Sequence, residues 1–291
     1  MGFLSVPFGY VLKWCYMLVQ NYGVAIIIFT ILSKFIILPF QMKSKKSMME
    51  MNRLQPKLKE LERRYKDDKQ KYSMEVSKLY KKEGVSMMGG CLPLLITLPI
   101  MIGLYSVVRQ PLTYIFDISA DQIKQMAEVL VQNGVTQGIE NVIERGGYML
   151  EMGVASHIKE YGHLFTSIAP NLEGVDFNFL GIDLAATPNF KYITWLWAIP
   201  ILSGVTSWFS GWIMRRGQPV NEQTQQTNGM MNFLMPAMSV YIAFVVPTGL
   251  GLYWIISNIL SAVQEPLLTA YYKKKAEQKA LEGDTKNGKK N

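Results

Sequence analysis

The chain has 291 residues, of which 49% are apolar and only 18% charged, and it carries a net charge of +8. Clustered apolar residues in that proportion point to a polytopic membrane protein rather than a soluble domain. The two cysteines, Cys15 and Cys91, are too few and too far apart for a disulfide framework. No HExxH, GxxxxGK[ST], GxSxG or CxxC pattern occurs, which argues against a metalloenzyme, a nucleotide-driven pump or a serine hydrolase.

Residues 1–21 are apolar but interrupted by Pro7, Gly9 and Lys13. Val11, Trp14, Cys15 and Leu18 follow the i, i+3, i+4, i+7 spacing of one helix face, so an amphipathic helix lying on the outer surface is expected. A basic n-region and a small-residue cleavage site are lacking, which argues against a signal peptide. The first span is expected over 22–42. About eighteen residues of YGVAIIIFTILSKFIILPF suffice to cross a hydrocarbon core. Its only charge is Lys34, and an ammonium near the centre of a lone helix costs roughly 2.5–3.5 kcal/mol. Thr30 lies one turn earlier on the same face. Two readings of Lys34 stay open here: a charge on a wet polar stripe, or an amine snorkelling toward the interface past Pro39.

Residues 43–88 form the most polar segment. Met51, Leu54, Leu58, Leu61 and Tyr65 alternate spacings of three and four, and Tyr72, Val76 and Leu79 resume the pattern after the charged run Lys66–Lys69. Two antiparallel helices closed by that run are expected, with Pro56 bending the first. The second span, 89–110, contains Pro93 and Pro99, which neighbouring helices can accommodate in lipid, and Thr97 as a polar candidate. Residues 111–190 read as an outer helical insertion, with short helices at Gln122–Gln132, Val135–Ile143 and Met152–Tyr161 and a turn or short extended piece from Asp176 to Asp183. His157 and His163 have no acidic partner at ligand spacing, so no metal site is expected.

The third span covers 191–214, where Ser203, Ser207 and Gly211 recur every four residues. That spacing suits close helix packing in lipid, and it leaves a lining role for Ser207 as the alternative. A polar cytoplasmic loop at 215–229, a Met-rich fourth span at 230–246, a tight outer turn at 247–251 and a fifth span at 252–270 follow. Tyr253 and Trp254 lie near the outer end of the last span, where they serve either as interfacial anchors or as lining groups, with Asn258 one turn further in. The tail, 271–291, is basic, and its composition suggests disorder.

The charge distribution orients these spans. Residues 42–88 hold 14 Lys/Arg against 7 acids, and residues 109–190 hold 4 against 10. Residues 214–231 hold two arginines against one acid, and the chain after Leu268 holds 7 lysines against 3 acids. The positive-inside rule places the hairpin, the short loop and the tail in the cytoplasm and the insertion outside. The signs alternate as five spans require.

A polar set of Lys34, Thr30, Thr97, Ser207, Tyr253, Trp254 and Asn258 is not catalytic by residue type. It is the equipment of a polar cavity in a bilayer. The blocks AIIIFTILSKFIILPF, LQPKLKELERRYKDDKQK, GGCLPLLITLPIMIGLY and PTGLGLYWIISNILSAVQEPLL, in this order, resemble the YidC/Oxa/Alb family of membrane-protein insertases. The chain is most similar to the Gram-positive bacterial form. The resemblance implies an all-α fold with five transmembrane helices around a hydrophilic groove, a cytoplasmic helical hairpin and an amphipathic N-terminal interfacial helix. It implies a non-enzymatic, nucleotide-independent and cofactor-free insertase and chaperone of the bacterial plasma membrane, working as a monomer, with the N-terminus outside and the C-terminus in the cytoplasm. Its implied partners are nascent membrane proteins, the ribosome, the Sec translocon and anionic lipids, with no specific nucleic acid sequence. Lys34 stands where the family usually has Arg, so it keeps the charge but loses the bidentate fork. Thr30 matches a groove threonine, Tyr253 and Trp254 match an aromatic pair that meets substrate, and Thr97 stands where Gln is common. An anion-conducting channel or transporter and a membrane assembly scaffold are the competing readings.

Overall fold

Helix formation along this chain follows from apolar runs broken at only a few Pro and Gly positions. The computed structural model describes residues 2–84, 92–135, 139, 148–172, 176–216 and 222–287. The helices are α1 (Gly2–Val19), α2 (Tyr22–Arg53), α3 (Gln55–Arg64), α4 (Lys69–Lys82), α5 (Leu92–Arg109), α6 (Pro111–Phe116), α7 (Ala120–Gln132), α8 (Tyr148–Ala155), α9 (Ile158–Tyr161), α10 (Ala198–Arg216), α11 (Glu222–Val245) and α12 (Thr248–Asn287). One antiparallel hairpin, β1 (Asn178–Phe179) and β2 (Ile182–Asp183), and short 3-10 helices at Gly162–Phe165, Pro170–Leu172 and Trp195–Trp197 complete the described elements. Among the described residues, Tyr22–Arg53 and Trp195–Arg216 are long and apolar enough to cross a membrane, and Phe233–Val245 is a shorter apolar stretch. The chain divides into two compact units.

The first unit comprises residues 1–34, 98–208 and 233–259. Helix α1 packs on α6, burying Phe8, Leu12 and Cys15, and Gly9 gives Tyr114 room: a Cβ there would stand 2.4 Å from the ring. The single face expected for α1 is therefore split. Cys15 points inward with Leu12, while Trp14 and Leu18 lie on an exposed apolar side with Tyr10 and Met17. The helix is apolar nearly all round, so spacing alone could not choose the buried face. Lys13 pairs with Asp117.

Helix α8 packs on both α6 and α7. Ser119 and Gln122 form a capping box at the start of α7, and Ile123, Met126, Ala127 and Leu130 give it a buried stripe. The expected helix at Met152–Tyr161 is present as α8 and α9, starting earlier and broken after Ala155. The expected helix at Val135–Ile143 lies almost wholly outside the described residues. The expected extended piece is the β-hairpin, whose turn places Leu180 at φ 54° and Gly181 at φ 81°. Two successive positive φ values are what a tight two-residue hairpin loop requires.

That hairpin leads straight to the start of α12. Thr248 N and Gly249 N donate to the carbonyls of Ala186 and Leu184 at 2.9 and 2.8 Å. The Thr248 hydroxyl donates to Asp183 O at 2.5 Å and Ala186 O at 3.1 Å. Two of the helix's otherwise orphaned N–H groups are satisfied in this way. The expected outer turn at 247–251 is thus mostly helix. Gly249 and Gly251 serve close packing instead: a Cβ would meet Leu184 O at 3.0 Å and Ile199 Cγ2 at 2.2 Å, respectively.

The second unit comprises residues 35–97, 209–232 and 260–291. Helix α2 continues through Pro39 to Arg53, past the end expected at Met42. Proline removes one backbone donor, and a helix with good flanking residues survives that loss. Pro56 ends α2 and opens α3 rather than bending one helix, because it occupies the first turn of the new helix, where its missing N–H has no cost. Leu54 and Leu58 are buried, and α3 packs against α4. Asp68 caps α4 by accepting from Lys71 N at 2.9 Å, and Lys57 and Glu83 clasp the open end. The expected loop at 215–229 is shorter, since α11 starts at Glu222. The basic tail is helical through Asn287, as its Ala, Lys, Glu and Gln content favours.

Candidate functional site

Six of the seven polar candidates, Lys34, Thr30, Ser207, Tyr253, Trp254 and Asn258, belong to the first unit, and Thr97 belongs to the second. Thr97 lies in α5, and its side chain falls outside the described residues. Thr30 is fully buried, and its hydroxyl donates to Ile26 O of its own helix at 2.6 Å. Ser33 does the same toward Thr30 O at 2.9 Å. Lys34 is half-buried at the next position. The hydroxyls on this turn are therefore tied to the backbone.

A second polar cluster joins α10, α11 and α12. Asn258 Nδ2 donates to Thr206 Oγ1 at 3.4 Å, and that hydroxyl donates to Leu202 O at 2.7 Å. Ser203 and Ser239 share a hydroxyl bond of 2.7 Å, both buried. A Cβ on Gly204 would stand 2.4 Å from Val240 Cγ2, so α10 and α11 cross at a small-residue contact. Ser203 was legible as one of the small residues spaced by four. Thr206, the partner of Asn258, was not, because no spacing rule links residues 52 positions apart. Ser207, Tyr253 and Trp254 are half-buried, and Tyr253 shares a side-chain hydrogen bond with Ser257 one turn on.

Elsewhere, the groups that sequence reasoning missed are carboxylates. Glu151 on α8 is buried and accepts from Thr113 N at 2.9 Å and Thr113 Oγ1 at 2.8 Å. Burial pushes its carboxyl up from 4.5 to about 7, against the opposing effect of those bonds and of Arg109. In the second unit Glu265 pairs with Lys45, whose side chain is only 6% exposed. Gln264 Nε2 donates to Gln41 Oε1 at 2.6 Å, and the Tyr272 hydroxyl donates to Met42 O at 2.9 Å. These bonds fasten the second half of α2 along α12.

Among the described residues no group of three or more His, Cys, Asp or Glu is placed to hold a metal. His157 Nδ1 lies 2.8 Å from Gly153 O, a contact within its own segment. Among the candidates whose side chains are described, the first unit supplies an ammonium, two aliphatic hydroxyls, a phenol, an indole and an amide.

Two helices long and apolar enough to cross a membrane, joined to a basic helical hairpin, fit the class of integral membrane proteins. The model of the 60Kd inner membrane protein family matches residues 14–276, and the chain belongs to that family. A Listeria innocua protein named membrane protein insertase YidC 2 is 30% identical over 96% of this chain and 75% of its own length. A Fusobacterium nucleatum membrane protein insertase YidC is 28% identical over 85% of each chain. An Oleidesulfovibrio alaskensis protein of the same name is 33% identical over 90% of this chain, which spans only 38% of that longer protein.

Proposed function

We propose that this chain is a bacterial membrane protein insertase that also assists the folding of nascent membrane proteins. The observation that carries this is the match to insertases named YidC over nearly the whole chain, at 30% identity for the Listeria innocua protein. In this reading five helices cross the membrane: the outer part of α2, then α5, α10, the apolar part of α11 and the outer part of α12. The N-terminus is outside and the C-terminus in the cytoplasm. The α3–α4 hairpin and the basic end of α12 face the ribosome, the Sec translocon and anionic headgroups, and one copy of the chain suffices.

The mechanism follows from Lys34. A nascent chain with a short acidic N-terminal tail presents carboxylates to an ammonium set among apolar helices. Opposite charges 4 Å apart gain about 4 kcal/mol at an effective dielectric near 20. That gain offsets part of the cost of drawing a charged tail into the membrane, while the apolar segment slides into lipid past Tyr253 and Trp254. Thr30 and Ser33 keep the helix turn beneath Lys34 satisfied without competing for the ligand. Ser207, Asn258 and Thr97 supply further polar groups of the proposed groove. No nucleotide takes part.

The test compares Lys34→Ala with Lys34→Arg in an insertion assay. Lys34→Arg is expected to retain insertion of acidic-tailed substrates, and Lys34→Ala to lose it by about tenfold or more, while neutral-tailed substrates respond less. Unchanged insertion by Lys34→Ala would remove the charge attraction from the mechanism. A scaffold role predicts silence at Lys34 and total loss on deleting the hairpin.

A further inference from the structure

The second unit contains a cleft of about 500 Å³ where the end of α10 meets α12. Its lining includes Trp212 and Arg216 from α10, and Glu265, Pro266, Thr269 and Lys273 from α12. The charges in it are not balanced. Glu265 is already paired with Lys45 from α2, so its negative charge is cancelled locally. Arg216 and Lys273 remain as exposed cations on the two sides, and Thr269 adds a hydroxyl. The cleft therefore favours an anion.

The shape and position say more about that anion. The Arg216 guanidinium lies 3.5 Å from the centroid of the Trp212 ring, an arrangement that holds its charge beside an indole. Arg216 ends a helix long and apolar enough to cross a membrane. Pro266 and the indole give the cleft apolar surface as well. A phosphate with an acyl chain attached fits all three features: cations for the phosphate, a hydroxyl for a headgroup oxygen and an apolar wall for the chain. A guanidinium and an ammonium are the usual partners of phosphate oxygens, and juxtamembrane cations face anionic headgroups.

We infer that this cleft is a binding site for an anionic phospholipid, with its phosphate between Arg216 and Lys273. The inference rests on the membrane-spanning reading above but not on the insertase activity. A free phosphate or the backbone of an RNA shares the phosphate chemistry but leaves the apolar wall unused.

The test is native mass spectrometry of the full chain in detergent with equal amounts of phosphatidylglycerol and phosphatidylcholine of the same acyl chains. Preferential retention of phosphatidylglycerol is expected. Arg216→Gln and Lys273→Gln should each reduce that preference on the order of fivefold, and the double variant by about the product. Lys124→Gln/Lys191→Gln, at exposed lysines of the first unit that do not line the cleft, should leave it unchanged. Equal retention of the two lipids, or a double variant that melts like the wild-type protein yet keeps the preference, overturns the inference. Displacement of phosphatidylglycerol by the same concentration of inorganic phosphate or of a short RNA also overturns it. Because lipid retention is read without any substrate chain, its failure leaves the insertion result at Lys34 standing, and the reverse holds too.

Discussion

Glu151 shows how a single buried carboxyl sets a pH dependence for the packing of α8 on α6. Its folded value is raised from 4.5 to about 7, chiefly by burial. The folded state then holds a proton that the unfolded state releases, so stability is greatest below about 4.5 and falls as pH rises toward 7. The loss over that window is at most roughly 3 kcal/mol. Thermal unfolding in detergent should show a falling midpoint between those pH values, and Glu151→Gln, which keeps an oxygen for Thr113, should flatten it. A slope unchanged in Glu151→Gln would assign the pH dependence to another group. The pair Lys45–Glu265 makes a second residue-scale prediction. Lys45 is 6% and Glu265 17% exposed, so removing either partner strands a buried charge. Glu265→Gln should cost about 3 kcal/mol or more, while Lys45→Met/Glu265→Gln should recover most of that loss. A denaturation midpoint of the double variant no higher than that of the single one would contradict it. These groups were invisible in the sequence, because partners 220 positions apart leave no local pattern.

At the scale of elements, the start of α12 is the best defined joint. Its first N–H groups are satisfied by carbonyls of the segment that follows the β-hairpin, and Gly249 lets that segment approach. Gly249→Ala should cost roughly 1–3 kcal/mol, since a Cβ would meet a backbone oxygen that cannot rotate away. Thr248→Val should cost about 1 kcal/mol by leaving the carbonyls of Asp183 and Ala186 short of a donor. Loss of stability in neither variant, measured by thermal melting, would mean the joint is slack. Helix existence was largely legible from the apolar runs and the charged turn before Lys69, whereas the capping box at Ser119 went unread and α7 starts at Ala120, ahead of the expected Gln122. Helix ends were less so. Pro-Thr-Gly-Leu-Gly reads as a turn by composition, yet four of these five residues are helical, because tertiary contact and not backbone freedom requires the glycines. The basic tail reads as disordered by charge, whereas its strong helix formers prolong α12.

For the molecule as a whole, the family is secure and the path through the membrane is the matter to test. The proposed five-span path has the tip of the α3–α4 hairpin in the cytoplasm and the β-hairpin outside, as the positive-inside rule predicts. A cysteine at Leu180, which is 80% exposed, should react with a membrane-impermeant maleimide in intact cells. A cysteine at Lys66, on the exposed charged turn, should react only after permeabilisation. Labelling of both from one side would refute the five-span path. The polar candidates were only partly readable at this scale. Lys34 stood out as the lone charge of its span, while Thr30 proved to be tied to its own helix, which no count of hydroxyls reveals.

The seat of α1 on α6 has a practical consequence. Cys15 is sealed in that contact with no exposure, and burial also pushes its thiol up, so it should be silent to alkylating reagents at rest. It becomes a natural sentinel. Were the N-terminal helix to lift while a client enters, this sulfur would be unmasked, and the rate of its modification would time the event without any added probe.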